Sequence, residues 1–322
     1  MLALAIQCLS ITMNANLGAQ SPEQGGELLM LDAAAGKLAG TLVMPKASGR
    51  VPLAVIIPGS GPTDRNGNSP LIPGANNSLK LLAEGLAAHG IASLRYDKRG
   101  VGASAASNIK EADLRFSNSA DDAAAWVERL RQDPRFSTIT IIGHSEGSLV
   151  GMLAAQKSPT DGFVSIAGAG RPADKILREQ LAKQLPPDLL AVANRALDKL
   201  VAGSLVDSVP RQLLALYRPS VQPYLISWLR VNPQAEVAKL QMPVLLAQGT
   251  LDAQVPENDV KLLAAAQPKA KVIIVEGMNH VMKRAAADQA SQAKSYSDPT
   301  IPIPQELIDG LAAFIKSVPR HK

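Results

Sequence analysis

Three residue types placed in one order define the chemistry this chain can do. Ser145 sits in Gly143-His144-Ser145-Glu146-Gly147, after the apolar run Thr138-Ile139-Thr140-Ile141-Ile142 and before a helix-like stretch from Ser148 to Gln156. Strand, sharp turn and helix with serine at the apex expose a hydroxyl above a sheet, and glycines on either side let the backbone pass close to its neighbours. A serine hydroxyl is a weak nucleophile until a histidine takes its proton and an acid fixes the tautomer of that histidine. Asp252 follows the apolar run Met242 to Gln248 on the turn Gly249-Thr250-Leu251-Asp252. His280 follows Lys271-Val272-Ile273-Ile274-Val275 on the loop Glu276 to His280. Serine, acid, histidine is one of the chain orders in which such a triad is built, and it follows a serine on a strand-to-helix turn. The chemistry expected is acyl transfer through a covalent intermediate.

The other histidines fit that role less well. His89 precedes Gly90 and reads as a helix C-terminal residue, His144 lies inside the turn beside the serine, and His321 is in the tail. Four scattered histidines also offer no metal-ligand cluster.

A tetrahedral intermediate needs backbone N–H donors for its oxyanion. One is expected from Glu146, the residue after the nucleophile. The other is expected from Ser60, in the loop Pro58-Gly59-Ser60-Gly61-Pro62 that follows the strand Val51 to Ile57.

With these motifs in place, and with Tyr96-Asp97-Lys98-Arg99-Gly100-Val101-Gly102 between them, the chain resembles the alpha/beta-hydrolases. Within them it is similar to the bacterial carboxylesterase and serine-aminopeptidase-type branch. The resemblance runs from about residue 50 to the C-terminus. It implies an α/β fold, a mostly parallel central sheet with helices on both faces and an inserted helical cap. It also implies hydrolysis of short-chain acyl esters without a cofactor or metal. Pro58-Gly59 stands where the family has His-Gly. Backbone donors carry the function there, so the change bears on the width of the acyl pocket. Asp97 and Arg99 are expected to tie loops together. A carboxylate at Glu146 would oppose a nearby oxyanion if unpaired, so either Arg99 or Arg65 is expected to neutralise it or it is expected to point away.

The elements that must position these groups alternate. An antiparallel pair is expected at Glu27–Asp32 and Lys37–Met44. Strands follow at 51–57, 91–96, 162–167, 242–248 and 271–275, with helices near 77–88, 118–131, 257–266 and 304–317, a pattern that gives a parallel sheet. The alternation breaks at 171–240, where helical patterns are cut by Pro210, Pro219, Pro223 and Pro233. This segment is the expected cap, inserted in a core made of 20–170 and 241–322. Leu213, Leu214, Leu216, Tyr217, Tyr224, Leu225, Trp228 and Leu229 are its candidate pocket residues, about a third of which should meet substrate. The Ala/Gln/Ser-rich stretch at 285–297 is expected to be a loop or mobile helix near His280.

Composition narrows the alternatives. Of 322 residues 46% are hydrophobic, as in an ordinary globule. The net charge of +5, from 33 basic and 28 acidic residues, is scattered, and aromatics are 3%. Neither a basic patch nor a stacking platform for nucleic acid is present. The single cysteine, Cys8, excludes a disulfide framework within one chain. The apolar run after Met1, ending in small residues near Ala19, is expected to be an export signal covering 1–19. No later segment is apolar for long enough to span a bilayer. The partner expected is a small-molecule ester. The rivals are an aminopeptidase on the same three residues, with Asp174, Glu179 or Asp207 holding the substrate amine, an acyltransferase, and a non-catalytic binding module.

Overall fold

The computed structural model describes residues 26–33, 36–105 and 110–320. The expected export signal, Cys8 and His321 lie outside the described residues.

Among the described residues eight strands form one sheet, in the order β1-β2-β4-β3-β5-β6-β7-β8. The strands are β1 (Gly26–Ala33), β2 (Gly36–Val43), β3 (Val51–Ile57), β4 (Ala92–Tyr96), β5 (Phe136–His144), β6 (Gly162–Ile166), β7 (Val244–Gly249) and β8 (Lys271–Val275). β1 and β2 form the expected antiparallel pair, and β2 meets β4 antiparallel. Every pairing from β4 across to β8 is parallel.

A parallel strand covered on both faces must be apolar on both faces, and the chain obeys. Leu53, Val55 and Ile57 of β3 enter one core with Trp126, Phe136 and Phe163. Ala54 and Ile56, between them, enter the other with Leu82, Leu245 and Phe314. Helices Phe116–Arg131 and Glu146–Lys157 cover the first face, and helices Ser78–Ala88 and Gln305–Ser317 the second.

Between β6 and β7 the chain leaves the sheet. Helices Ala173–Ala182, Pro187–Val201, Leu214–Tyr217, Gln222–Leu229 and Pro233–Ala238 fill the interval. The first four share an apolar cluster of their own, which includes Leu177, Leu197, Leu200, Tyr217 and Leu225. No helix among the described residues is long and apolar enough to cross a membrane.

Two sequence expectations shift at their ends. The helix expected from 118 begins at Phe116, where Arg115 and Asn118 make a reciprocal capping arrangement. The helix after the serine begins at Glu146. The stretch at 285–297 contains a helix, Gln289–Ser295, capped by the Asp288 side chain.

Candidate active site

Parallel strands deliver their carboxyl ends to one edge of a sheet, which is where open α/β folds bind ligands. Here β3, β4, β5, β7 and β8 end beside one another, and each contributes a group to one place.

β5 ends at His144 and the helix begins at Glu146, so Ser145 alone makes the turn. Its backbone takes φ 56° and ψ −122°, a conformation that L-residues adopt only under strain. Close approach explains the flanking glycines. A Cβ on Gly143 would lie 2.2 Å from the carbonyl oxygen of Gly147, and one on Gly147 would lie 2.5 Å from that of Ile57. The Ser145 N–H donates to the carbonyl of Ile166 at 2.9 Å, pinning the turn to β6.

β7 ends in Gln248-Gly249, and the turn after it carries Asp252. One carboxylate oxygen accepts from the backbone N–H groups of Gln254 and Val255, both at 2.9 Å. The other accepts from His280 Nδ1 at 2.8 Å and from Gln248 Nε2 at 3.1 Å. Burial alone would push this carboxyl up, but His280 and the two backbone donors outweigh it and hold Asp252 below the usual carboxylate range.

His280 follows β8, and its Nε2 lies 3.0 Å from Ser145 Oγ. The loop that carries it is tightly closed. The Asn279 N–H donates to the Lys283 carbonyl at 2.9 Å, and the Lys283 N–H returns to the Asn279 side chain at 3.1 Å. Asn279 also donates to Gln292 and Ser295, which ties the loop to the helix at Gln289–Ser295.

Ser60 and Glu146 both border the cavity beside Ser145. Neither N–H has a hydrogen-bond acceptor among the described residues. The Glu146 N–H is one of the free donors at a helix N-terminus. The loop around Ser60 is held by its own polar groups. Thr63 Oγ1 donates to the Ser60 carbonyl at 2.8 Å, and the Asp64 carboxylate accepts from the N–H groups of Asn66 and Asn68.

Glu146 is not neutralised by Arg65 or Arg99, and the expectation is corrected. Arg99 makes a two-pronged pair with Asp122, and Arg65 faces Asp97 at 3.7 Å. The charge acting on Glu146 is that of Lys98, which borders one cavity with Glu146 and the Tyr224 ring. Burial pushes the Glu146 carboxyl above the usual range despite both neighbours. Asp97 ties loops as expected, accepting from the N–H groups of Arg65 and Ala103.

Two cavities meet at Ser145. One lies over the loop after β3, bordered by Pro62, Leu71, Ile72, Val281 and Tyr296. The other lies under the helices between β6 and β7, bordered by Leu149, Ile176, Leu177, Trp228 and Pro233, with Arg171 and Gln180 beside them. Of the eight candidate pocket residues, Trp228 borders this second cavity and Tyr224 borders a neighbouring one at Glu146. Leu213, Leu216, Tyr217, Leu225 and Leu229 are buried among the helices, and Leu214 is exposed. The candidate amine anchors are also placed elsewhere. Asp174 faces Arg178, Glu179 pairs with Arg171, and Asp207 is exposed.

Sequence reasoning missed two residues. Gln248 is the polar residue in the otherwise apolar β7, and a buried amide there marks a carboxylate to be held. His144 reaches across to the loop of His280, donating from Nε2 to the His280 carbonyl at 2.7 Å.

A family model described as serine aminopeptidase, S33, matches residues 75–284. The chain belongs to that family. It is 27% identical over 249 residues to the esterase EstD of Thermotoga maritima, a match that covers 76% of this chain and 58% of that protein. Among solved structures, Est1E from Butyrivibrio proteoclasticus superposes with a TM-score of 0.56 at 18% identity, covering 90% of this chain and 99% of that one. A thermophilic esterase from Thermogutta terrifontis superposes with a TM-score of 0.55 at 16% identity, covering 90% and 98%. These likenesses establish the alpha/beta-hydrolase fold.

Proposed function

We propose that the chain is a serine carboxylesterase, with Ser145 as nucleophile, His280 as general base and acid, and Asp252 as the group that orients His280. The observation that carries this reading is the continuous line from Ser145 Oγ to His280 Nε2 at 3.0 Å and from His280 Nδ1 to Asp252 at 2.8 Å. Ser145 Oγ attacks the ester carbonyl carbon while His280 Nε2 takes its proton. The carbonyl π electrons move to oxygen, where the N–H groups of Ser60 and Glu146 meet them. Collapse breaks the C–O bond to the alcohol, which leaves with the proton from His280. Water then attacks the acyl-enzyme through the same base and releases the acid.

Ester is favoured over amide by what lies beside the serine. The cavity under the helices is bordered mainly by apolar side chains, and the carboxylate on its border, Glu146, lies beside Lys98 and Tyr224. An aminopeptidase needs a carboxylate available to the substrate ammonium. The esterase name of the Thermotoga relative supports the same choice. The description of the matched family favours the second reading, an aminopeptidase on the same three residues. The helices between β6 and β7 serve as a cap in this proposal, forming one wall of the substrate cavity. The apolar stretch at 1–19 directs export, which N-terminal sequencing of the mature protein would test.

Hydrolysis of p-nitrophenyl esters from acetate to palmitate, beside aminoacyl p-nitroanilides, tests the assignment for wild type and Ser145→Ala. The expected result is ester turnover greatest for short chains and lost in the variant. Turnover of anilides but not esters moves the assignment to the aminopeptidase.

A further inference from the structure

Lys98 lies one residue beyond Asp97, outside the line of Ser145, His280 and Asp252. Its Nζ donates to the carbonyl oxygen of Gly59 at 2.5 Å. That carbonyl belongs to the peptide whose nitrogen is Ser60. A peptide unit is planar, and in the trans form its C=O and N–H point in opposite directions. No cis peptide bond occurs among the described residues. A group that grips the Gly59 oxygen therefore fixes the direction of the Ser60 N–H.

The surroundings place the two ends on opposite sides. Ser60 borders both cavities that meet at Ser145, and Lys98 borders neither. Lys98 borders a separate cavity with Gly61, Glu146 and Tyr224. Gly59 itself is pressed against the nucleophile, since a Cβ there would lie 3.3 Å from that of Ser145. The cation thus pulls from behind on the peptide that faces the reacting carbonyl. A positive charge on the carbonyl oxygen also withdraws electron density from the amide, which makes its N–H a stronger donor.

Lys98 is held in turn. It borders one cavity with Glu146 and Tyr224, and its charge acts on the Glu146 carboxyl. Tyr224 belongs to the helix at Gln222–Leu229 and packs edge-on to Phe116, with ring centroids 6.0 Å apart. The Glu146 side chain therefore steadies the cation behind one oxyanion donor, while its own N–H is positioned to be the other.

We propose that Lys98 is a positioning residue that orients and polarises the Gly59–Ser60 peptide as an oxyanion donor. This rests on the esterase reading above, in which the Ser60 N–H meets the oxyanion.

The test separates the two. An aryl trifluoromethyl ketone forms a hemiketal with a reactive serine and places an oxyanion where the ester's would be. Its affinity is measured for wild type, Lys98→Met, Lys98→Gln and Lys98→Arg, beside kcat and KM for a short-chain p-nitrophenyl ester and the melting temperature. Losing an oxyanion donor outright costs on the order of 10² to 10³ in kcat. Losing its support is expected to cost roughly 10- to 100-fold in Lys98→Met. KM should stay within about twofold and ketone affinity should fall by a matching factor. Lys98→Arg restores most of both. Unchanged kcat in Lys98→Met overturns the proposal, as does a loss of kcat with ketone affinity intact. Should Lys98→Met fail to fold, Lys98→Gln keeps a neutral donor and is expected to lose about 3- to 10-fold in both readouts. No loss in either readout overturns the proposal. If wild type turns over no ester, the esterase reading falls, and the ketone affinities still decide whether Lys98 supports the donor.

Discussion

The ring of His144 donates from Nε2 to the backbone carbonyl of His280 at 2.7 Å, with ring centroids 5.1 Å apart. The histidine inside the nucleophile turn thus fixes the loop of the histidine that faces the nucleophile, and β5 and β8 are joined at the site without touching in the sheet. Replacing His144 with Phe keeps bulk and leaves a buried carbonyl unpaired. The expected cost is about 1–3 kcal/mol of stability. The expected loss in kcat is greater than the change in KM, because His280 is less well placed. Thermal melts beside steady-state kinetics check this.

The same residue gives the protein an acid-side weakness. Burial first, and then the neighbouring His280, bring His144 down to about 4. Between that value and the ordinary 6.5 the unfolded chain binds more protons than the folded one, so stability rises with pH across this window. It is fully present above about 6.5 and falls as pH drops to about 4, by up to roughly 3 kcal/mol. Below that, Asp252 adds a further loss, since its carboxyl is held low in the fold and must be protonated. Urea unfolding of wild type at pH 7, 5.5 and 4.5 should show the decline. His144→Phe should flatten it.

Ser145 stores strain, and glycine should release it. At φ 56° and ψ −122° a residue without Cβ is unstrained. Ser145→Gly is expected to gain about 1–2 kcal/mol of stability while losing on the order of 10⁴ to 10⁶ in turnover. A calorimetric melt that shows no gain over wild type would count against strain at the turn.

How much of this was legible in the chain depended on whether the signal was local. β3 was read at its observed bounds because seven apolar residues between a turn and a glycine-rich loop allow little else. The order of Ser145, Asp252 and His280 was legible because each follows a short apolar run. The partner of Glu146 was not. Asp97, Lys98 and Arg99 are consecutive, and only the turn of the loop after β4 decides that Arg99 swings to Asp122 while Lys98 faces the nucleophile loop. The helices after β6 misled for another reason. Their spacing shows which faces are apolar, but those of Leu213, Leu216 and Leu225 pack on sister helices, and the cavity takes Ile176, Leu177 and Leu149 instead. Hydrophobic periodicity cannot tell a wall from a filling.

Trp228 gives that cavity a measurable size. It is half-buried, stacks on Phe116 with ring centroids 6.1 Å apart and borders the space next to Ser145. Trp228→Ala should open room for a longer acyl chain, each added methylene that fits being worth about 0.8 kcal/mol. The optimum in the p-nitrophenyl series should move to longer chains, with kcat/KM for acetate lower than in wild type. An unmoved optimum would place the acyl group in the cavity over Leu71 and Ile72.

The helices after β6 leave the sheet from one strand and return to its immediate neighbour, β7, and they carry an apolar core of their own. Nothing in the line from Ser145 to His280 to Asp252 passes through them. A lineage could therefore exchange this single contiguous segment for another, by recombination at two adjoining strand ends, and inherit a new substrate range with the reaction centre already working. The chain is built like a tool with a fixed handle and an interchangeable jaw.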